Sequence, residues 1–108
     1  MTLLDLYNIL LEVGIPVSHY EIELENYPYI LYQELATSYK WASGQTLQEN
    51  IKVEVVHFTK KEFDPSLERL KQVLLKNKIG FNIAHGYDPE IKDIINQFDL
   101  TISRDMEV

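Results

Sequence analysis

The chain has 108 residues, no cysteine, and 17 Asp and Glu against 10 Lys and Arg, for a formal net charge of −7. That length suits one domain with one core, and the missing cysteines exclude a disulfide framework, a thiolate nucleophile and any cysteine metal site. No run of 18 apolar residues is present, which excludes a membrane-spanning helix. From Met1 to Tyr39 there are six acids and no Lys or Arg, which argues against a basic nucleic-acid footprint.

The first predicted element is a helix over about 2–13. Thr2 is its N-cap, with Asp5 three residues on as a capping-box partner. Leu3, Leu6, Tyr7, Leu10 and Leu11 recur at helical spacing. Gly14 suits a left-handed position past the C-cap, and Pro16 forbids continuation. With Asp5 and Glu12 present and no basic n-region, the segment reads as a helix and not as a signal peptide.

Val17 starts a short strand, and the polar "ELEN" that follows reads as a turn. Glu21, Glu23 and Glu25 alternate there and would share one face of an extended segment. "NYPYILYQEL" reads as a strand after Pro28, with Tyr29, Leu31, Gln33 and Leu35 on one face and Ile30, Tyr32 and Glu34 on the other. Apolar groups on both faces from 29 to 32 imply cover on both sides. "TSYKWASGQTLQ", residues 37–48, is expected to be a flexible polar loop carrying Tyr39 and Trp41. "NIKVEVVHFT" resumes alternation, Ile51, Val53, Val55 and His57 on one side, and should pair antiparallel with the preceding strand.

The second helix opens with Asp64 as N-cap and Pro65 at N1. Leu67, Leu70, Val73 and Leu74 form its buried face, and Gly80 is expected to stop it. "FNIAHG" reads as a short strand, "YDPE" as a turn, and residues 94–104 as a last strand with Phe98, Leu100 and Ile102 inward. Residues 105–108 are expected to fray. The whole is a single α+β domain over 1–108: a mainly antiparallel sheet of four to five strands with two helices on one face, in the order α-β-β-β-α-β-β.

Chemistry is hard to find. His19, His57 and His85 are far apart and lack any metal-ligand spacing. The four glycines are not clustered into a phosphate loop, and Gly-x-Ser-x-Gly is absent. The alternating glutamates are better explained as a solvated face than as a glycosidase pair, and Asp64 is explained by capping. The expectation is a non-enzymatic protein with no metal and no cofactor. What remains is contact. Tyr39 and Trp41 are the best candidate anchors, and Tyr27, Tyr29 and Tyr32 suit a half-wet interface through their polar tips.

Three stretches carry a resemblance: "LLDLYNILLEVGIPVSHYEIE", "YPYILYQEL", and "IKVEVVHFTKKEFDPSLERLKQVL" with the closing "INQFDLTISRD". Together they cover nearly the whole chain, and the layout resembles the tail-terminator (tail-completion, tail-to-head joining) proteins of long-tailed phages and prophages of Gram-positive bacteria. The resemblance implies a structural protein that caps the tail tube as a ring, commonly of six copies, and offers a docking surface to the head. Implied partners are further copies of itself, the tail-tube protein and a head-completion or connector protein, with no specific nucleic-acid binding and no membrane. Implied locations are the host cytoplasm during assembly and the head–tail interface of the virion. Glu21, Glu23 and Glu25 would then face a lumen that passes DNA. The competing expectation is a small monomeric adaptor or regulator that binds one partner protein through residues 37–48.

Overall fold

The computed structural model describes residues 1–21, 26–42 and 44–107. Among these residues the chain forms α1 (Leu3–Leu11), β1 (Val17–His19), β2 (Tyr29–Ala42), β3 (Thr46–Thr59), α2 (Pro65–Lys76), β4 (Phe81–Asp88) and β5 (Asp93–Met106). They build one five-stranded sheet in the order β1-β2-β3-β5-β4, antiparallel except for the three-residue β1–β2 ladder. The α+β class, the element order and the antiparallel pairing of β2 with β3 agree with the sequence reading.

Both helices start where their caps dictate. The Thr2 hydroxyl accepts from the Asp5 N–H at 3.1 Å and the Asp5 carboxylate accepts from the Thr2 N–H at 2.8 Å, a reciprocal capping box. Asp64 accepts from the Ser66 N–H at 2.9 Å, with Pro65 at the first helical position. α2 ends in a Schellman motif: the Ile79 N–H reaches the Leu74 carbonyl at 2.9 Å and Lys78 reaches Leu75 at 3.0 Å. Lys78, at φ +59°, takes the left-handed position, so Gly80 is not the stop signal and lies just before β4.

Leu6 and Leu10 of α1 and Leu70 and Leu74 of α2 pack on one sheet face with Ile30, Tyr32, Ile51, Val53, Val55, Phe98, Leu100 and Ile102. Each fully buried Leu or Phe contributes roughly 1.5–3 kcal/mol by leaving water. The opposite face is mostly polar. Its apolar end is closed by Tyr29 stacked on Phe58 (4.8 Å between centroids), with Tyr27 against Tyr29 at 5.1 Å.

Two further expectations are corrected. Residues 37–42 and 46–48 are not a loop: they are the outer halves of β2 and β3, which pair from Tyr29↔Phe58 to Ala42↔Thr46. Residues 105 and 106 are not frayed, because Gln48↔Asp105 and Leu47↔Met106 hold them in the sheet. Fourteen residues at about 3.4 Å each span about 48 Å, and this strand length sets the 51 Å long dimension of the molecule.

Candidate interaction site

The outer halves of β2, β3 and β5 run past the helices as a three-stranded arm. The helix cover ends near the Met1 amine, which donates to the Ser103 carbonyl at 2.9 Å. Beyond that point the sheet is built from cross-strand rows: Ser38–Asn50–Ser103, Tyr39–Glu49–Arg104, Lys40–Gln48–Asp105 and Trp41–Leu47–Met106. Gly44, at φ +87°, lies in the turn that joins β2 to β3, a conformation that favours glycine.

A β-bulge between Glu34 and Ala36 decides which way the arm's side chains point. Before it, the even-numbered residues Ile30, Tyr32 and Glu34 lie on the helix side. The bulge takes up Leu35 as an extra residue, so Thr37, Tyr39 and Trp41 lie on that side after it. Tyr39 and Trp41 thus stand on one face, two rows apart, at 56 % and 63 % exposure. Scattered exposed apolar residues are normal, but two aromatics side by side on a thin arm form a patch.

Tyr39 is held in place. Its hydroxyl donates to the buried Glu49 carboxylate at 2.9 Å, and Arg104 Nε donates to the other oxygen of the same carboxylate at 2.9 Å. These two donors, Arg104 first, hold the Glu49 carboxyl below its usual range. The same bond pushes the Tyr39 phenol up, since it donates to a carboxylate. At neutral pH the row is an ionised acid between a guanidinium and a protonated phenol. A ring pinned this way offers its face to a partner with little further entropy to lose.

The other expected contact tyrosines are not part of this patch. Tyr29 and Tyr32, each 5 % exposed, are core side chains and not contact surface, a correction that follows from cover on both faces of β2. Tyr32 stacks on His19 at 4.5 Å, and His19 and Tyr20 both hydrogen-bond to Glu34. Tyr27 is half-buried, donates to Asp93 at 3.0 Å and lies under the Lys60 ammonium at 4.6 Å. Glu21 is exposed after β1; Glu23 and Glu25 lie outside the described residues.

A polar chain that sequence spacing did not reveal crosses the other end of the sheet. His85 Nδ1 donates to Asn96 Oδ1 at 2.7 Å, Asn96 Nδ2 donates to His57 Nδ1 at 3.3 Å, and His57 Nε2 lies 2.7 Å from Ser66 Oγ. Since an amide nitrogen only donates, neutral His57 carries its proton on Nε2 and donates it to Ser66. Ser66 in turn bonds to Asp64, which also accepts from Thr59 at 2.6 Å. Every donor points toward Asp64. A general base would need a bare Nε2 facing the serine, the reverse arrangement. Burial lowers the His57 pKa, and the nearby Asp64 charge offsets this in part. Burial works against the Asp64 carboxylate, but the donors from Thr59 and Ser66 outweigh it and keep its pKa low.

Beside this chain is a groove of about 430 Å³ lined by Phe63, Leu67, Tyr87 and Ile94, with Asn96 and Asp64 at its polar edge. Among the described residues no group of three or more His, Cys, Asp or Glu is placed to hold a metal ion. No protein-family model matches the sequence, and no curated protein matches it.

Proposed function

We propose that the chain is a non-enzymatic phage assembly protein that caps the tail tube as a ring, commonly of six copies, and helps join tail to head. The reading rests on the resemblance of the sequence to tail-terminator proteins. The observation that supports it best is the arm, with Tyr39 and Trp41 exposed and Tyr39 fixed through Glu49 and Arg104. Aromatic anchors of this kind dominate interface energetics, because they bury large area at low entropic cost. The ring would form in the host cytoplasm and remain at the head–tail interface of the virion. The six acids and the lack of any Lys or Arg between Met1 and Tyr39 suit a lumen that DNA passes without binding.

The test adds purified protein to polymerising tail-tube protein of the same genome and measures tube length by negative-stain microscopy. Tubes that stop growing and carry a ring at one end support the reading. A Tyr39→Ser, Trp41→Ser double variant should stay folded and lose the effect. Tubes of unchanged length with no bound density would sink the terminator reading and favour the monomeric adaptor, which would use the same arm on a single partner protein.

A further inference from the structure

We propose that a second copy of this chain docks on the arm edge to edge, β5 of one copy lying parallel to β2 of the next. Tyr39, Lys40 and Trp41 of one copy then stand opposite Arg104, Asp105 and Met106 of its neighbour. The inference deepens the ring reading by naming its joint, and it rests on that reading only for closure into a ring.

Three observations carry it. First, both sides of the arm are open edges. Among the described residues β1 covers β2 only at residues 30–32, and β4 covers β5 only up to Leu100. The Met1 amine occupies the Ser103 carbonyl, which leaves Arg104 to Met106 as the uncovered end of β5. Unpaired backbone donors and acceptors in such a row template a further strand. Proline is absent from both edges, and the charges that stand on them are opposite in sign at the facing positions, Lys40 on β2 and Asp105 on β5.

Second, the directions agree. β2 and β5 are each antiparallel to β3, so they run the same way. Copies related by rotation therefore repeat the order β2-β3-β5 as one continuous sheet, joined by a parallel ladder. Three residues suffice for a ladder in this fold, as the parallel β1–β2 pairing has only three.

Third, the two edges complement each other row by row on both faces. Within one chain each row begins on β2 and ends on β5, as Tyr39–Glu49–Arg104, Lys40–Gln48–Asp105 and Trp41–Leu47–Met106. Keeping the rows aligned across the joint sets the Lys40 ammonium beside the Asp105 carboxylate on the open face. On the helix side it sets the Tyr39 ring against a guanidinium already oriented by Glu49, and Trp41 against a thioether. Pairing like edges, β2 with β2 or β5 with β5, leaves Lys40 and Asp105 on separate joints. A joint between unlike edges is heterologous, and such contacts close into a ring or run on as a filament.

A chain without cysteine makes the test clean. In a Lys40→Cys, Asp105→Cys double variant the two thiols of one chain are separated by Gln48, two strand spacings or about 10 Å between Cα atoms. Disulfides close only when the Cα atoms are within about 7 Å, so a bond between positions 40 and 105 must join two chains. Both positions are exposed, and circular dichroism checks the fold. The variant is oxidised over a concentration series, run on a non-reducing gel and sedimented. The expected result is a covalent ladder from the double variant, and at most dimers from either single variant. As a second measure, Lys40→Asp should weaken self-association roughly two- to five-fold, as loss of an exposed ion pair does, and Lys40→Asp with Asp105→Lys should restore it. Oligomers in sedimentation without the ladder overturn this joint and leave the ring reading standing. Monomers at every concentration, or dimers linked only through like positions, also overturn it. The tube-capping assay then judges the ring reading by itself.

Discussion

Lowering the pH from 7 to 5 should destabilise this protein through one residue, His57. The ring is fully buried, its Nδ1 accepts from Asn96, and its Nε2 donates to Ser66. A second ring proton would sit at Nδ1 and face another donor, the Asn96 amide. Burial accordingly lowers the His57 pKa below the usual imidazole range, with partial opposition from the Asp64 charge. In the unfolded chain the ring protonates near pH 6.5. Below that pH the unfolded state takes up a proton that the native state refuses, so stability falls as pH falls, until the folded pKa is reached. The slope approaches about 1.36 kcal/mol per pH unit, so between pH 6.5 and 5 the loss is at most about 2 kcal/mol. For a domain of this size that is a drop of about 10 °C in Tm.

Thermal melts followed by circular dichroism at pH 7, 6 and 5 measure the drop. His57→Gln removes the titration and keeps an amide that can donate to Ser66 and accept from Asn96. The variant should melt lower than the parent at pH 7 and show a much flatter pH dependence between 6.5 and 5. Asp64 and Glu49 do not confuse the window. Their folded pKa values are lowered, so their contribution is present above the unfolded carboxylate range and is lost only below about pH 4.5. Equal slopes for parent and variant would refute the reasoning.

Further outcomes are expected in denaturant titrations. Phe98→Ala removes the largest fully buried side chain from the sheet centre and should cost about 3–5 kcal/mol, with the midpoint lowered. Asp64→Ala loses the α2 cap and strips Thr59 and Ser66 of their acceptor, for about 1–2 kcal/mol. Gly14→Ala should cost about 1 kcal/mol because Gly14 sits at φ +84°, whereas Gly80→Ala, which meets no left-handed strain and no atom within 4 Å, should change stability by less than about 0.5 kcal/mol.

The helix starts, the core faces of β3 and β5 and the antiparallel β2–β3 pairing were legible because each follows from local chemistry. An Asp followed by Pro caps a helix wherever it occurs, and Phe98, Leu100 and Ile102 alternate without interruption. The arm was hidden by composition. Ser38, Lys40 and Gly44 suggest a loop, although "SYKWA" already alternates aromatic with polar residues, the pattern that could have revealed a strand. Its cross-strand support, Glu49 and Arg104, comes from residues 10 and 65 positions further on, beyond any local window. The chain from His85 to Asp64 was illegible for the same reason. Asn96 joins two histidines only because β5 lies between β3 and β4.

Leu35 is the residue on which the face of the arm turns. Alternation carried straight through it would put Leu35 opposite Lys52 and slip each later β2 residue by one, moving Tyr39 and Trp41 to the open face. The observed ladder instead steps from Glu34↔Val53 to Ala36↔Lys52, with Leu35 left over and half exposed. Deleting Leu35 should therefore leave every later row in place, Tyr39 opposite Glu49 and Trp41 opposite Leu47, and change stability by less than about 1 kcal/mol, since a bulge is one unpaired residue. Cross-strand nuclear Overhauser contacts between residues 39 and 49 report the register directly. If they vanish while Tyr39 contacts appear at Gln48 or Asn50, the deletion has slipped the arm, neither the turn at Gly44 nor the rows beyond the bulge hold the register, and the reasoning fails. If they persist, the rows from Ala36↔Lys52 to Ala42↔Thr46 hold the register by themselves, and Leu35 is the one extra residue that lets Tyr39 and Trp41 meet the helix-side face of β3.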